Sequence, residues 1–301
     1  MEHRDRPVLA LVLRLTAALL MATLTMLVKY ASDIGIVLPE IMFWRQAVTV
    51  PVVLLGLWAT SGLARLRTNR LRSHGLRAFT GMCGMLCGFG AATLLPLAEA
   101  TTLSFTTPLF AVFLTALVMR NYVGPWRWLA VLCGFIGVII IAQPGHGTIP
   151  IFGAVVGLAG AFLVSIISFQ LRDLGRTEEP IQITFWFAAF GAPLMALFLP
   201  FFMSAHTPWQ WTVLMAVGLV GTAGQFLLSA SLRYGAVVSV LIMDYTALIW
   251  ATLYGWLVWD RLPPTAMWIG APLIIIAGMI IVWRERLRAQ QISPTSSLEG
   301  E

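Results

Sequence analysis

Ten long apolar stretches follow one another along this 301-residue chain. They cover residues 8–29, 39–59, 78–97, 100–119, 126–142, 149–171, 181–202, 209–232, 236–259 and 265–283. A helix needs about 20 apolar residues to cross the hydrocarbon core of a bilayer. Backbone groups in lipid must be bonded within the protein, and the residue alternation typical of a membrane barrel is absent. We therefore predict an all-α polytopic membrane protein with ten transmembrane helices.

The composition agrees with this prediction. The chain is 59% hydrophobic and 11% charged, whereas soluble domains carry about 25% charged residues. This excludes a soluble enzyme. The first stretch is longer than the apolar region of about 7–15 residues in a signal peptide, so we interpret it as a retained span. Three cysteines, Cys83, Cys87 and Cys133, lie in apolar stretches, and we interpret them as packing residues.

Basic residues fix the expected orientation. With the N-terminus inside, the inner loops hold fifteen arginines and the outer loops hold only Lys29 and Arg261. The inner set is Arg4, Arg6, Arg65, Arg67, Arg70, Arg72, Arg77, Arg120, Arg127, Arg172, Arg176, Arg233, Arg284, Arg286 and Arg288. Cytoplasmic loops carry an excess of Lys and Arg. The bias predicts that both termini are cytoplasmic, and it explains the basic pI without a nucleic-acid partner.

Two stretches of the sequence resemble each other at a constant offset. The first reads "PLFAVFLTALVMRNYVGPWRWLAVLCGFIGVIII" from Pro108, and the second reads "LIWATLYGWLVWDRLPPTAMWIGAPLIIIAGMII" from Leu248. The offset pairs Phe105 with Tyr245, Arg120 with Asp260, and "WLA" (128–130) with "WIG" (268–270). Both stretches are a long apolar segment, a polar turn and a glycine-containing apolar segment, which indicates an internal duplication.

The duplication predicts two five-span repeats. Repeat 1 covers residues 8–143 and repeat 2 covers residues 149–283, with cytoplasmic tails at 1–7 and 284–301. Because five is odd, the second repeat enters the membrane from the opposite side. Inverted repeats of this kind are typical of secondary transporters, whose substrate site lies between the repeats near the midplane.

Three sequence features resemble the EamA group of the drug/metabolite transporter superfamily. They are "MFWRQ" (42–46) opening the second span, "EATTLSFTTPLF" (99–110) in the fourth, and "WDRLPPTAMWIGAPLIIIAGMII" (259–281) at the end. The resemblance covers about residues 8–283 and implies a ten-span carrier of small organic solutes. Amino acids, nucleotide-like metabolites, drugs, S-adenosylmethionine and riboflavin are the classes that it suggests. It implies no fixed set of binding residues, and the first repeat, with "MRNYV" (119–123), lacks the acidic turn of "WDRLP" (259–263).

Glu99 and a row of hydroxyls stand out in the fourth span. Glu99 follows Pro96 at the start of that span, either as a carboxylate at a helix N-terminus or as an ion or proton coupling site. Thr101, Ser104 and Pro108 share one helical face, and Thr107 borders it. These hydroxyls either satisfy carbonyls that Pro108 leaves without partners or line a polar cavity.

Four further residues complete the predicted substrate site. Asp244 lies within the ninth span, where a charge calls for a partner such as Arg45 or for a role in substrate binding or proton coupling. Tyr245 is next to it. Arg45 either binds an anionic group or pairs with Glu40, and Gln225 is a hydrogen-bonding group at mid-depth.

The sequence favours transport over catalysis. No phosphate-binding G-x-x-x-x-G-K-[ST] motif and no G-x-S-x-G elbow occur, and His3, His74, His146 and His206 lie outside the predicted spans. We expect no catalytic residues, cofactor or metal site. The expected partners are a small-molecule solute and the bilayer of a bacterial inner membrane, with the chain monomeric or homodimeric. The alternatives are a membrane-embedded enzyme acting on lipid and a non-transporting scaffold.

Overall fold

The computed structural model describes residues 7–60, 62–117, 123–143, 150–234 and 243–292. Within these ranges every secondary-structure element is a helix or a helical turn, as predicted. The helices are α1 (Pro7–Asp33), α2 (Leu38–Thr60), α3 (Leu71–Leu94), α4 (Leu97–Ser104), α5 (Thr107–Leu117), α6 (Pro125–Ala142), α7 (Ile151–Leu174), α8 (Pro180–Ala196), α9 (Leu199–Phe202), α10 (Pro208–Tyr234), α11 (Ala247–Trp259) and α12 (Thr265–Ile292). Two single 3-10 turns, Leu63–Leu66 and Met243–Thr246, precede α3 and α11.

Seven segments of the described chain are long and apolar enough to cross a bilayer. They are Val8–Asp33, Leu38–Ala59, Leu97–Leu117, Pro125–Ala142, Ile151–Leu174, Pro208–Leu228 and Thr265–Arg284. Each corresponds to one of the predicted spans. A third of each apolar window, or slightly more, is buried in the protein, so most of it is left to face lipid.

The other three predicted spans differ from this set for identifiable reasons. Helix α3 has 24 residues, but its first turns carry Arg72, His74 and Arg77. Helix α8 stops after 17 residues, where Pro193 and the following turn end it. The ninth span is described only from Met243, and its predicted first part, 236–242, lies outside the described residues.

Proline sets several helix starts. Helices α1, α6, α8 and α10 each begin at a proline; proline lacks an N–H but needs none in the first turn. Two helices end in the left-handed conformation: α6 at Gln143 with φ of 38° and α11 at Asp260 with φ of 50°. A polar residue tolerates this conformation better than a branched one.

Four long-range helix pairs build the bundle. Helix α1 packs along α10, α3 along α7, α2 along α8, and α6 along α12. Glycines set the closest approach in the last pair. A β-carbon placed on Gly137 would lie 2.7 Å from the carbonyl oxygen of Gly270 and 2.9 Å from Cγ1 of Ile274. One on Gly134 would lie 3.3 Å from Cβ of Ala277.

The order of these contacts gives the direction of packing. Moving forward along α6 from Gly134 to Gly137, the partner moves backward along α12 from Ala277 to Ile274. Ile141 continues the series by contacting Gly270. The α6–α12 pair is therefore antiparallel.

Lys29, the only lysine in the sequence, caps the end of α3. Pro96 has no N–H, so the carbonyl of Ala92 one turn earlier loses its helical partner. The ammonium of Lys29 donates to that carbonyl at 3.0 Å and to the carbonyl of Leu95 at 2.9 Å. The Trp259 ring lies 5.7 Å from the same Nζ, which fixes the end of α3 between α1 and α11.

We expect Lys29→Met to lower the free energy of unfolding by about 1–3 kcal/mol, because two buried carbonyls lose their charged donor. Thermal melting of purified protein in detergent measures the effect. Lys29→Arg keeps a charged donor and should lose less. A Met variant that melts at the wild-type temperature would contradict the assignment of Lys29 as a helix cap.

Candidate substrate-binding site

The fourth predicted span is interrupted at its middle. Helix α4 ends at Ser104 and α5 begins at Thr107. Between them the N–H groups of Phe105 and Thr106 donate to the carbonyls of Thr102 and Leu103, at 3.1 Å each. A tightened turn of this kind in the middle of a helix often marks a functional hinge.

A 3-10 turn lies at the equivalent position of the second half of the chain and touches this interruption. The 3-10 turn Met243–Thr246 leads into α11 at Ala247. The ring of Tyr245 meets the ring of Phe105 edge to face, with centroids 4.9 Å apart. Gly278 on α12 leaves room for this tyrosine, because a β-carbon there would lie 2.1 Å from the Tyr245 hydroxyl oxygen.

The hydroxyls of the fourth span bond to their own helix. Ser104 donates to the Thr101 carbonyl at 2.6 Å, and Thr107 donates to the Ser104 carbonyl at 2.8 Å. The second bond satisfies the carbonyl that Pro108 leaves without a helical partner. Thr101, Ser104 and Thr107 lie on the more open side of the helix, whereas Thr102 and Thr106 are buried. The oxygens on the open side keep lone pairs for a ligand while their hydrogens serve the backbone.

Asp244 forms an ion pair, and its partner is Arg14 rather than Arg45. The two side chains meet twice, Nε to Oδ1 at 2.6 Å and Nη2 to Oδ2 at 2.5 Å. The Arg14 side chain is 4% exposed and that of Asp244 is 39% exposed, so the pair has one buried and one open end. Arg14 also reaches the carbonyl of Leu228 and the hydroxyl of Ser231 on α10. The exposed side of the carboxylate remains accessible to a ligand.

Glu99 is buried in the first turn of α4. Only 3% of the residue is exposed, and its Oε2 atom has no hydrogen-bond partner among the described residues. Lys29 and Arg261 are the cations that act on it electrostatically. A carboxylate at a helix N-terminus is stabilised by the helix dipole. The unbonded oxygen leaves the proton-coupling interpretation open.

Arg45 and Gln46 bond to each other in α2, with Nη1 of the arginine 3.0 Å from Oε1 of the amide. The predicted alternative partner of Arg45, Glu40, instead pairs with His206, which is fully buried with it. Arg45 lies against Gly221 near the middle of α10, where a β-carbon would be 3.1 Å from its Nε. Gln225 lies one turn further along α10 and is half-buried.

The predicted residues thus fall into three places. Asp244 and Tyr245 adjoin the interrupted fourth span with Ser104, Thr101 and Thr107. Arg45 lies about 15 Å away along α10 by helical rise, since its neighbour is Gly221 and that of Arg14 is Ser231. Glu99 lies at the start of α4.

Sequence reasoning missed a buried arginine, Arg77, because it placed the start of the third span just after this residue. Helix α3 begins earlier, at Leu71.

Metal and disulfide chemistry find no support in the described part of the chain. No group of three or more His, Cys, Asp or Glu side chains comes together there. Cys83, Cys87 and Cys133 are free and partly buried.

Several known proteins of similar sequence are bacterial transporters. The riboflavin transporter of Vibrio cholerae is 26% identical over 97% of this chain and 98% of its own length. The pseudopaline exporter CntI of Pseudomonas aeruginosa is 28% identical over 88% of this chain and 93% of its own length. The S-adenosylmethionine uptake transporter of Rickettsia prowazekii is 24% identical over 82% of this chain and 83% of its own length.

A fold comparison and a family model agree with these relatives. A protein of known crystal structure, 23% identical, aligns with a TM-score of 0.61 over 95% of this chain and 99% of the other, which supports the fold alone. The model of the EamA-like transporter family matches twice, at residues 8–143 and 151–283. Because the two matches cover nearly the whole chain, this multi-span membrane protein belongs to the EamA-like transporter family.

Proposed function

We propose that this protein is a secondary carrier that moves a small organic metabolite or drug across a bacterial inner membrane by alternating access. Two inverted five-helix repeats, residues 8–143 and 149–283, rock about a site between them, with both termini cytoplasmic. The observation that carries the proposal is the contact between the interruption of the fourth span and the 3-10 turn before α11, Phe105 against Tyr245. Transporters place substrate sites where discontinuous helices of two repeats meet.

The packing order supports the inverted arrangement. Residues equivalent under the sequence offset occupy matching places: α5 and α11 begin at Thr107 and Ala247, and α6 and α12 begin at Pro125 and Thr265. The contact of Gly134 with Ala277 is matched by that of Gly137 with Ile274 when each residue is exchanged for its equivalent. Exchange of this kind is the mark of a two-fold relation.

Neighbouring helices repeat the same relation. Helix α1 packs on α10, and their equivalents α7 and α3 pack on each other; α1 also packs on α11, as α7 does on α5. Because the equivalent helices α6 and α12 run antiparallel, the two-fold axis lies across them. In carriers, an axis of this kind relates two inverted repeats. When the repeats exchange conformations, an inward-facing carrier becomes an outward-facing one.

The substrate site in this proposal comprises Asp244, Tyr245, Ser104, Thr101, Thr107, Gln225 and Arg45. Asp244 and Glu99 are the candidates for ion or proton coupling, since Oε2 of Glu99 has no hydrogen-bond partner among the described residues and the Asp244 side chain, although paired with Arg14, is 39% exposed. The solutes named for the relatives are riboflavin, pseudopaline and S-adenosylmethionine. They support a small polar organic solute.

The test of carriage does not require the solute to be known. Proteoliposomes are loaded with a small-metabolite extract of bacterial cells, and the external medium is followed by mass spectrometry. We expect at least one solute to leave only the vesicles that contain the protein. Release no faster than from empty vesicles would contradict carriage. Conversion of a lipid or solute in detergent, without any compartment, would instead favour the enzyme alternative.

We expect Gly278→Val to reduce the rate of release about tenfold or more, because the added side chain occupies the position of the Tyr245 hydroxyl. The matched control is Gly88→Ala on α3, where a β-carbon meets nothing within 4 Å. The control should release solute at the wild-type rate. Equal release from both variants would remove Tyr245 from the site.

A further inference from the structure

Two arginines are buried in the middle of the bundle and have no carboxylate partner among the described residues. Arg45 on α2 is 6% exposed and Arg77 on α3 is 7% exposed. Three of their nitrogens have no hydrogen-bond acceptor in the same part of the chain: Nε of Arg45, and Nε and Nη1 of Arg77. Charged side chains inside a membrane bundle are rare and mark functional sites.

The nearby carboxylates are engaged elsewhere. Glu40, on the same helix as Arg45, pairs with His206. Glu178, at the end of the bundle where α3 begins, accepts a hydrogen bond from Thr68 and lies 3.4 Å from His74. Asp244 is held by Arg14. Within the described chain, neither guanidinium group has a carboxylate within ion-pair distance, and the charge of Arg45 acts on Arg77.

Arg77 points deeper into the membrane rather than out of it. An arginine near a helix end ordinarily extends toward the membrane surface. Arg77 instead lies against Gly81, one turn further from the start of α3, where a β-carbon would be 2.2 Å from its Nη1. Its guanidinium carbon lies 4.5 Å from the centre of the Phe187 ring on α8.

Three glycines make room for this arrangement. Gly81 accommodates Arg77, Gly221 accommodates Arg45, and Gly191 on α8 accommodates Gln46, whose Nε2 would lie 2.8 Å from an added β-carbon. They come from α3, α10 and α8, so each of these helices lacks a side chain at the point where it meets the arginines or Gln46. Apolar groups complete the surroundings.

Those apolar groups are flexible or aromatic. Met85 and Met82 contact Arg45 and Gln46 through sulfur, each at 3.4 Å. The ring of Phe89 lies 6.0 Å from the guanidinium carbon of Arg45. Methionine adapts to ligands of different shape, and aromatic rings stack on flat groups.

We propose that Arg45 and Arg77 together bind the acidic group of the transported solute, so that the solute class is small organic anions with an aromatic or apolar body. The inference rests on the proposed function, because it identifies what occupies the centre of a carrier. A planar guanidinium matches the two oxygens of a carboxylate or phosphate. The anion supplies the charge that the helices lack, while Phe89, Phe187 and the methionines contact its body.

The test compares probes that share one ring system. Purified protein in neutral detergent is titrated calorimetrically with naphthoate, naphthyl phosphate and the uncharged naphthalenemethanol. We expect at least one of the two anions to bind about tenfold or more tighter than the alcohol, and whichever anion is tighter distinguishes carboxylate from phosphate recognition. Arg45→Gln and Arg77→Gln should each weaken anion binding about tenfold or more. The exposed Arg172→Gln should leave it unchanged.

Thermal melting separates binding from folding. An uncompensated buried cation opposes folding, so Arg77→Gln should melt at or above the wild-type temperature while losing anion affinity. Equal affinity for anion and alcohol, no binding of either anion, or a variant that binds normally would overturn the proposal. Solute release from vesicles without anion preference would refute this inference alone; anion binding without any release would refute carriage alone.

Discussion

Asp244→Asn is expected to lower solute release about tenfold or more. It should also lower the free energy of unfolding by about 2 kcal/mol, because it leaves Arg14 as a buried cation with one remaining amide acceptor. Breaking a fully buried pair costs about 3–5 kcal/mol, and the 39% exposure of the Asp244 side chain reduces that figure. Chemical unfolding in detergent and release from proteoliposomes measure the two effects.

The double variant Arg14→Gln/Asp244→Asn separates structure from transport. Removing both charges eliminates the unpaired cation, so most of the stability should return. If the Asp244 carboxylate takes part in binding or coupling, release should stay low. Full recovery of release would show that the pair only holds α1 to the turn before α11. Asp260→Asn is the matched control, because asparagine also adopts the left-handed conformation of that exposed position.

Gly137→Val is expected to have the largest effect on folding. Its side chain would overlap the carbonyl of Gly270 and the side chain of Ile274, at 2.7 and 2.9 Å from the added β-carbon. Overpacking of a core costs about 1–3 kcal/mol, and contact with backbone cannot be relieved by changing a rotamer. We expect a strong loss of monodisperse protein in size-exclusion chromatography, because α6 and α12 can no longer approach.

The control for this prediction also lies inside a helix, but an added side chain there points into open space. At Gly88 an added β-carbon meets nothing within 4 Å, so Gly88→Ala should keep or slightly raise stability by improving helix propensity. If Gly137→Val elutes and melts like wild type, the α6–α12 contact does not hold the bundle together.

Helix positions followed from sequence because lipid imposes a simple length rule. The apolar stretches at 39–59 and 126–142 closely match α2 and α6 at both ends. The constant offset between the two similar stretches also carried over to the starts of two helix pairs. The interruption at Phe105 was anticipated only as a kink at Pro108, because sequence indicates a lost hydrogen bond but not the turn that replaces it.

The contacts between side chains were harder to predict from the sequence than the helix positions. Arg14 and Asp244 are 230 positions apart. They meet only because α1 packs against α10 and against the 3-10 turn Met243–Thr246. His206 lies outside the spans, as expected, but its burial against Glu40 could not be predicted from the sequence. Arg77 had been counted as an orientation signal at the membrane surface. A signal for it existed: Gly81 follows one helical turn later, on the same face.

Sidedness of labelling tests the inverted arrangement most directly. In a variant with the three native cysteines replaced by serine, single cysteines are introduced at Gly124 and Pro264, which are equivalent positions in the two repeats. The account predicts that an impermeant maleimide added outside intact cells labels only Pro264→Cys, and that Gly124→Cys reacts only in inverted vesicles. Labelling of both positions from the same side would contradict it.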